Sequence, residues 1–183
     1  MMILIIIIVV LILAIIAIYN GLVKSRNNVK NAWSQIDVQL QRRFDLIPNL
    51  VETVKGYMGH ESDTLTKIAE LRTSWANSSS VSEKANIDNQ LSGTLKTIMA
   101  VSENYPELKA NTNFMELQAE LSATEDKISY SRQFYNDSAT MYNTKLQMFP
   151  SNIVASLFHF TARDLFEAES AEARKSVKVD FGK

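Results

Sequence analysis

The chain opens on an unbroken apolar stretch, after which apolar residues recur every three or four positions. Residues 1–19 contain no charged side chain, and the first charged residue is Lys24. At a rise of about 1.5 Å per residue, roughly 20 helical residues cross a hydrocarbon core that is about 30 Å thick. We therefore predict a transmembrane anchor over residues 1–23.

A cleaved signal peptide is the alternative interpretation of the same stretch. No basic side chain precedes it, it exceeds the usual apolar region of about 7–15 residues, and no clear small-x-small cleavage site follows. These features favour an uncleaved anchor. Since Lys24, Arg26 and Lys30 follow the span, the positive-inside bias predicts a single-pass protein of the cell membrane, with its N-terminus outside and its helical body in the cytoplasm.

Two small residues near the end of the anchor form a candidate packing site. Ala17 and Gly21 are four positions apart, a spacing that lets two membrane helices approach closely. Such pairs also arise by chance in apolar helices. Dimerisation of the anchor is therefore one of two interpretations, the other being that the pair has no packing role.

The heptad spacing that starts at Leu22 predicts that the anchor continues as one long helix into an antiparallel bundle over residues 24–149. Arg43 falls on the apolar seam and therefore needs a partner, either Asp37, Asp45 or an acid on a neighbouring helix. Pro48 should bend this helix without ending it. The apolar positions of the seam are Leu22, Val29, Trp33, Ile36, Leu40, Ile47, Leu50, Val54 and Tyr57.

Later segments predict further helices, so that the fold class is all-α. Apolar stripes run over residues 65–75 and 87–101, and the longest helix is predicted from Phe114 to about Gln147. Residues 149–152 should end that helix and cap a short one, and residues 150–183 form a short helix and a C-terminal tail. The predicted buried face of the long helix comprises Phe114, Leu117, Leu121, Ile128, Tyr135, Tyr142 and Phe149.

Composition and motifs argue against several functional classes. With 19 Lys and Arg against 20 Asp and Glu, the chain lacks the positive field of a nucleic-acid-binding protein. It contains no cysteine, and neither His60 nor His159 has acidic neighbours at metal-binding spacing. No nucleotide-binding or hydrolase motif occurs. We predict no catalytic residue, no metal site, no cofactor and no enzymatic activity.

Two apolar groups have competing interpretations. The aromatic residues and methionines of the long helix could form a ligand groove, although such spacing usually indicates bundle core. The segment after Pro150 carries more apolar surface than a short helix can hide, and it either closes the end of the bundle or contacts a second chain or the membrane surface. The residues of this candidate interaction face are Leu157, Phe158, Phe160, Leu165 and Phe166.

The run NAWSQIDVQLQRRFDLIPNLVETVKGYMGHE over residues 31–61 closely resembles the signature of the LemA family of bacterial membrane proteins. The resemblance extends in order through residues 89–129 and 132–158 to the closing FEAE and KVDF. It implies one N-terminal span, a LemA-like four-helix bundle and no established reaction. Phe44 departs from the family, which often has His there. The family-motif residues are Trp33, Asp37, Arg42, Arg43, Asp45, Pro48 and Asn49.

The role of the family-motif residues is open between two interpretations. Polar residues inside a bundle can fix the helix register through buried hydrogen bonds, and they can also recognise a partner helix. For the whole chain we predict a non-catalytic scaffold that engages the lipid bilayer and self-associates, as a coiled-coil homo-oligomer, or holds a membrane protein. The alternatives are an envelope sensor or lipid-remodelling factor and, as the resemblance implies, an accessory of a membrane metalloprotease system.

Overall fold

The computed structural model describes residues 1–57 and 62–166, which form six helices and no strand. The predicted all-α fold is confirmed, and four of the helices are longer than ten residues. His60 and the predicted C-terminal tail lie outside the described residues. The helices are α1 (Met2–Lys55), α2 (Ser62–Asn77), α3 (Val81–Ser102), α4 (Pro106–Lys109), α5 (Thr112–Gln147) and α6 (Ser151–Leu157).

Helix α1 joins the apolar N-terminal stretch to the packed part of the chain without interruption. It has 54 residues and is apolar enough at its N-terminal end to cross a membrane. The helix continues through Pro48, so the proline is not a stop, as predicted. It ends at Lys55, directly before Gly56.

The described residues divide into two compact units. Unit 1 comprises residues 1–43 and 122–165, and thus the first part of α1, the second part of α5 and helix α6. Within it α1 and α5 are antiparallel, because Trp33 contacts Tyr135 whereas Arg43, farther along α1, contacts the earlier residue Glu125. The residues of this pair that are buried are Leu22, Ser25, Val29, Ala32, Ile36, Leu40, Arg43, Thr124, Ile128, Ser131, Tyr135, Ala139 and Tyr142.

Unit 2 comprises the described part of residues 44–121 together with Phe166. Its helices α2 and α3 are joined by a short turn, since Ser80 caps α3 by accepting a hydrogen bond from the Glu83 backbone N–H. The Glu83 carboxylate accepts in return from the backbone N–H of Ser80, which completes a capping box. The hydrogen bonds that the Glu83 carboxylate accepts from the backbone N–H groups of Ser79 and Ser80 lower the pKa of Glu83.

The core of unit 2 contains a stacked aromatic pair. The rings of Phe44 and Trp75 are 4.6 Å apart between centroids with an interplanar angle of 19°, and both side chains are buried. The Lys84 ammonium lies 4.6 Å from the Trp75 ring centroid. The predicted stripes are confirmed, because the aliphatic residues around the pair are buried: Ile47, Leu50, Val54, Leu65, Ile68, Leu71, Leu91, Leu95 and Ile98.

Helix α5 begins two residues before its predicted start. The Asn111 side-chain oxygen accepts from the Phe114 backbone N–H, and its amide donates to the Tyr57 hydroxyl. Asn111 is therefore the N-cap, and asparagine is one of the residues preferred at that position. Before it, Pro106 opens the single-turn helix α4, which the apolar spacing did not predict because one turn is too short to show a period.

The end of α5 corrects two expectations. Phe149 was predicted on the buried face, but it is 79% exposed because α5 ends at Gln147 and the chain turns away at Pro150. The N-cap residue of α6 is Pro150, without a side-chain hydrogen bond, so the expected polar cap is absent there. Ser151 instead donates to the backbone carbonyls of Lys145 and Met148, which closes the C-terminus of α5.

After α6 the chain returns along α5. The Asn143 side chain forms a reciprocal pair with the Arg163 backbone, donating to its carbonyl and accepting from its N–H, both at 2.8 Å. The Tyr135 hydroxyl donates to the Asp164 carbonyl at 2.7 Å. Three hydrogen bonds thus fix residues 163–164 to two turns of α5.

Candidate interaction surfaces

The family-motif residues of unit 1 range from buried to exposed. Arg43 is 3% exposed, and its Nη1 lies 2.9 Å from Glu125 Oε2 on α5. The sequence predicted an acid on a neighbouring helix as one of the possible partners, and Glu125 is that acid. Trp33 is half-buried, with its ring 5.6 Å from the Tyr135 ring in an edge-to-face arrangement. Asp37 is half-buried as well, whereas Arg42 is exposed.

The family-motif residues of unit 2 are at the surface. Asp45, Pro48 and Asn49 are exposed, and Asn49 lines an open cleft of about 630 Å³ between α1 and α5. No group of three or more His, Cys, Asp or Glu residues that could hold a metal occurs in residues 1–57 and 62–166. The other residues lining the cleft are Leu46, Glu52, Thr53, Asn111, Asn113, Glu116, Leu117 and Glu120.

The aromatic residues and methionines of α5 divide between two faces. Tyr135 and Tyr142 are buried against α1, as expected of bundle core. Burial, followed by the Asp164 carboxylate, raises the pKa of Tyr135, and burial raises the pKa of Tyr142. In unit 2, Phe114 is buried as well and Met115 is exposed, whereas in unit 1 Tyr130, Phe134 and Met141 are exposed.

The exposed members in unit 1, together with Met148 directly after the end of α5, form what we call the α5 stripe: Tyr130, Phe134, Met141 and Met148, which are 73%, 45%, 63% and 57% exposed. At a rotation of 100° per helical residue, the four positions fall within an arc of about 40° around the helix axis. Beside the stripe, a groove of about 640 Å³ is lined by Tyr130 and by the exposed Val38 of α1. Unit 1 thus carries an apolar strip on the side of α5 that α1 does not cover.

The five residues of the predicted C-terminal face have different environments. Leu157, Phe158 and Leu165 are 66%, 48% and 43% exposed, whereas Phe166 is buried. Phe160 is half-buried and packs against the cluster of Leu22, Val154 and Ala155. The segment therefore combines inward packing with an outward apolar surface.

The outward surface also includes two residues that the sequence reasoning missed. Phe149 and Ile153 are 79% and 59% exposed. The exposure of Phe149 could have been predicted from the sequence. The following proline indicates that α5 ends before this residue, so that Phe149 is not on the buried face of the helix. Ile153 is not distinguished by sequence from the buried Val154 and Ala155, since a seven-residue helix is too short to define an apolar face.

The candidate anchor-packing residues are accessible in the structure. Ala17 and Gly21 are both exposed on α1. A Cβ atom added to Gly21 would meet no heavy atom within 4 Å. Nothing in the described part of the chain therefore occupies the space beside this pair.

The sequence is similar to proteins of one family. The LemA family model matches residues 32–181. Protein LemA of Metamycoplasma hominis is 31% identical over 158 residues, which cover 84% of this chain and 70% of that protein. Magnetosome protein MamQ 2 of Paramagnetospirillum magneticum is 25% identical over 179 residues, covering 84% of this chain and 66% of that protein. MamQ of Magnetospirillum gryphiswaldense is 23% identical, with the same shares covered.

Proposed function

Because the chain belongs to the LemA family and is membrane-associated, we propose that it is a non-catalytic scaffold, anchored in the cell membrane by α1, that self-associates through its helical body. The anchor is residues 1–23, retained in the mature protein. The basic residues Lys24, Arg26 and Lys30 are all exposed, which supports an N-terminus outside and a cytoplasmic body.

The α5 stripe is the observation that carries the proposal. Soluble surfaces normally scatter large apolar side chains singly, whereas here three follow one line of α5 and Met148 continues that line directly after the helix ends. Their spacing of four and seven residues is that of a helix packed against another helix, which also supports the predicted coiled coil. A second copy, held in the same membrane by its own anchor, presents an identical line at high local concentration. We assign the stripe to contact between copies.

Cysteine crosslinking in native membranes tests the contact between copies. The sequence contains no cysteine, so any disulfide between two copies must form through the introduced cysteine. In a two-fold symmetric dimer, residues near the axis face their own counterparts. We expect Met141→Cys to give several-fold more oxidised dimer than Thr140→Cys, its exposed neighbour on a different line of the helix.

Equal, low dimer yields at both positions would contradict self-association through the α5 stripe. The same oxidation of Met141→Cys followed by mass determination separates self-association from capture of another membrane protein. A product whose mass differs from that of two copies contains a different partner. If that partner is a membrane metalloprotease, the chain has an accessory role beside it.

Substitution of Gly21 tests the contribution of the anchor. Gly21→Ile should leave the fold of one chain unchanged, since the space beside this residue is open. If two anchors pack through Ala17 and Gly21, the added side chain separates them, and the Met141→Cys dimer yield should fall several-fold. Gly21→Ala is the matched control and should retain the dimer. A yield unaffected by isoleucine would show that the anchors do not pack here.

A sensor or lipid-remodelling role is the second candidate. It is favoured by the exposed apolar residues of and around α6, which adjoin the proposed anchor. In such a role the helical body itself would act on the bilayer rather than on a second copy. Liposomes reconstituted with the full chain should then change shape in electron micrographs even for Met141→Asp, a variant that disrupts the α5 stripe.

A further inference from the structure

The freely exposed part of the anchor is shorter than a bilayer. Every residue of α1 up to Ala17 is exposed, and burial against the rest of the chain begins at Ile18. The exposed run Met2–Ala17 is about 24 Å long as a helix, whereas the hydrocarbon core is about 30 Å thick. The difference is about one helical turn. A bilayer of ordinary thickness that buries this helix therefore reaches the level of Ile18 to Leu22.

At that level α1 is covered on one side by α6. Leu22, Val154 and Ala155 form a buried cluster, and Ile18 and Tyr19 pack against it. Helix α6 therefore lies beside the last turn of the proposed span. It contains no charged residue in the sequence SNIVASL, so no charge in it opposes contact with lipid.

Helix α6 and the turns beside it carry large apolar side chains that the rest of the described chain leaves exposed. We define the α6 collar as its large exposed apolar residues and those of the adjoining turns: Phe149, Ile153, Leu157 and Phe158. The Phe158 ring lies 4.8 Å from that of Tyr19, and the Phe160 ring lies 5.6 Å from it. Tyrosine, like Tyr19 at the centre of this group, is enriched where a membrane meets water.

Basic residues begin directly beyond this aromatic group. Arg26 is one turn past Leu22, or about 6 Å along the helix, and its guanidinium carbon lies 5.2 Å from the Phe160 ring centroid. Lys24 and Lys30 are exposed on the same stretch of α1. In the direction of α1, the apolar part of the helix comes first, the aromatic group is level with its end, and the basic residues follow. A bilayer has the same order of hydrocarbon, interface and headgroup phosphates.

We propose that the α6 collar is a lipid-binding surface, which inserts into the boundary between headgroups and acyl chains and extends the lipid-facing surface past Ala17, where the exposed part of α1 ends. This inference rests on the proposed anchoring of α1. The collar then sets the depth at which the anchor sits. It also explains why large apolar side chains remain uncovered on a segment that packs on the anchor.

Site-specific fluorescence of the full chain in liposomes tests the α6 collar. The polarity-sensitive dye NBD is attached to single cysteines in vesicles of phosphatidylcholine and phosphatidylglycerol that carry nitroxide lipids. Leu157→Cys probes the collar, Val10→Cys probes the middle of the span, and Lys127→Cys is an exposed control on α5. All three side chains are exposed, so labelling should leave the helical content by circular dichroism unchanged.

We expect nitroxide near the top of the acyl chain to reduce the emission at position 157 by about twofold or more, since interfacial helices sit about 5–10 Å into the boundary region. Emission at position 10 should be blue-shifted and quenched by nitroxide at the chain end, and position 127 should show neither effect. Quenching at position 10 without any at position 157 would overturn the collar and leave the anchor intact. No quenching at position 10 would instead overturn the anchoring itself. If another segment or a second copy covers the collar, position 10 is quenched and position 157 is not.

Discussion

Replacing Phe44 by alanine is expected to destabilise the chain by about 3–5 kcal/mol, the range for removing a buried phenylalanine ring. Phe44 is 1% exposed and stacks on Trp75, so the substitution removes both apolar contacts and an aromatic pair. In a protein of this length the midpoint of thermal unfolding should fall by roughly 6–20 °C. Circular dichroism of the full chain in detergent micelles measures the midpoint, and tryptophan emission should shift to longer wavelength as Trp75 becomes hydrated.

Phe134→Ala is the matched control for Phe44→Ala. It removes the same ring from α5 at a position that is 45% exposed, so the loss in detergent should stay below about 1 kcal/mol. Equal losses for the two variants would mean that the stacked pair is not part of a cooperative core. The control also separates stability from association, because Phe134 belongs to the α5 stripe and its removal should lower crosslinking in membranes.

The second large effect is expected from Glu125→Ala, which should cost about 1–3 kcal/mol. The substitution takes away a carboxylate that pairs with Arg43, while the guanidinium stays buried. Removing Arg43 should cost less, because Glu125 is 43% exposed and its carboxylate can be hydrated. Arg43→Met preserves most of the side-chain volume, and replacing a buried charge by an apolar residue of similar size is often neutral.

Thermal unfolding of Glu125→Ala, Arg43→Met and the double variant measures how much stability each side of the ion pair contributes. Glu125→Ala combined with Arg43→Met should recover most of the stability lost in Glu125→Ala alone. Glu116→Ala, which removes an exposed glutamate of the same helix, should change stability by less than about 0.5 kcal/mol. A larger loss for Arg43→Met than for Glu125→Ala would show that Arg43 acts through other contacts than this ion pair.

The elements of the fold were predictable because long helices repeat their pattern many times. The seam of α1 from Leu22 to Val54 spans several turns, and each turn adds an independent apolar position. The end of α5 was not predictable in the same way, since Phe149 continues the seven-residue spacing although Pro150 has already turned the chain. One local backbone constraint there outweighs the periodic signal.

The candidate surfaces could be predicted only in part. Sequence identified the apolar surplus after Pro150, but which side chains face inward depends on contacts with residues more than a hundred positions away, such as Leu22 with Val154. The α5 stripe shares its residue types with the core of the same helix. Only the side on which α1 packs distinguishes Phe134 from Tyr135.

The uninterrupted course of α1 has a mechanical consequence. No loop separates the apolar N-terminal stretch from Arg43. A change in tilt of the proposed anchor therefore rotates the following turns of the same helix with it. The segment from Leu22 to Arg43 is about 32 Å long, and a tilt of about 20°, typical of membrane helices, moves its far end sideways by about 11 Å. If α1 is anchored as proposed, a change in bilayer thickness that alters the tilt displaces the Arg43–Glu125 ion pair over the membrane surface.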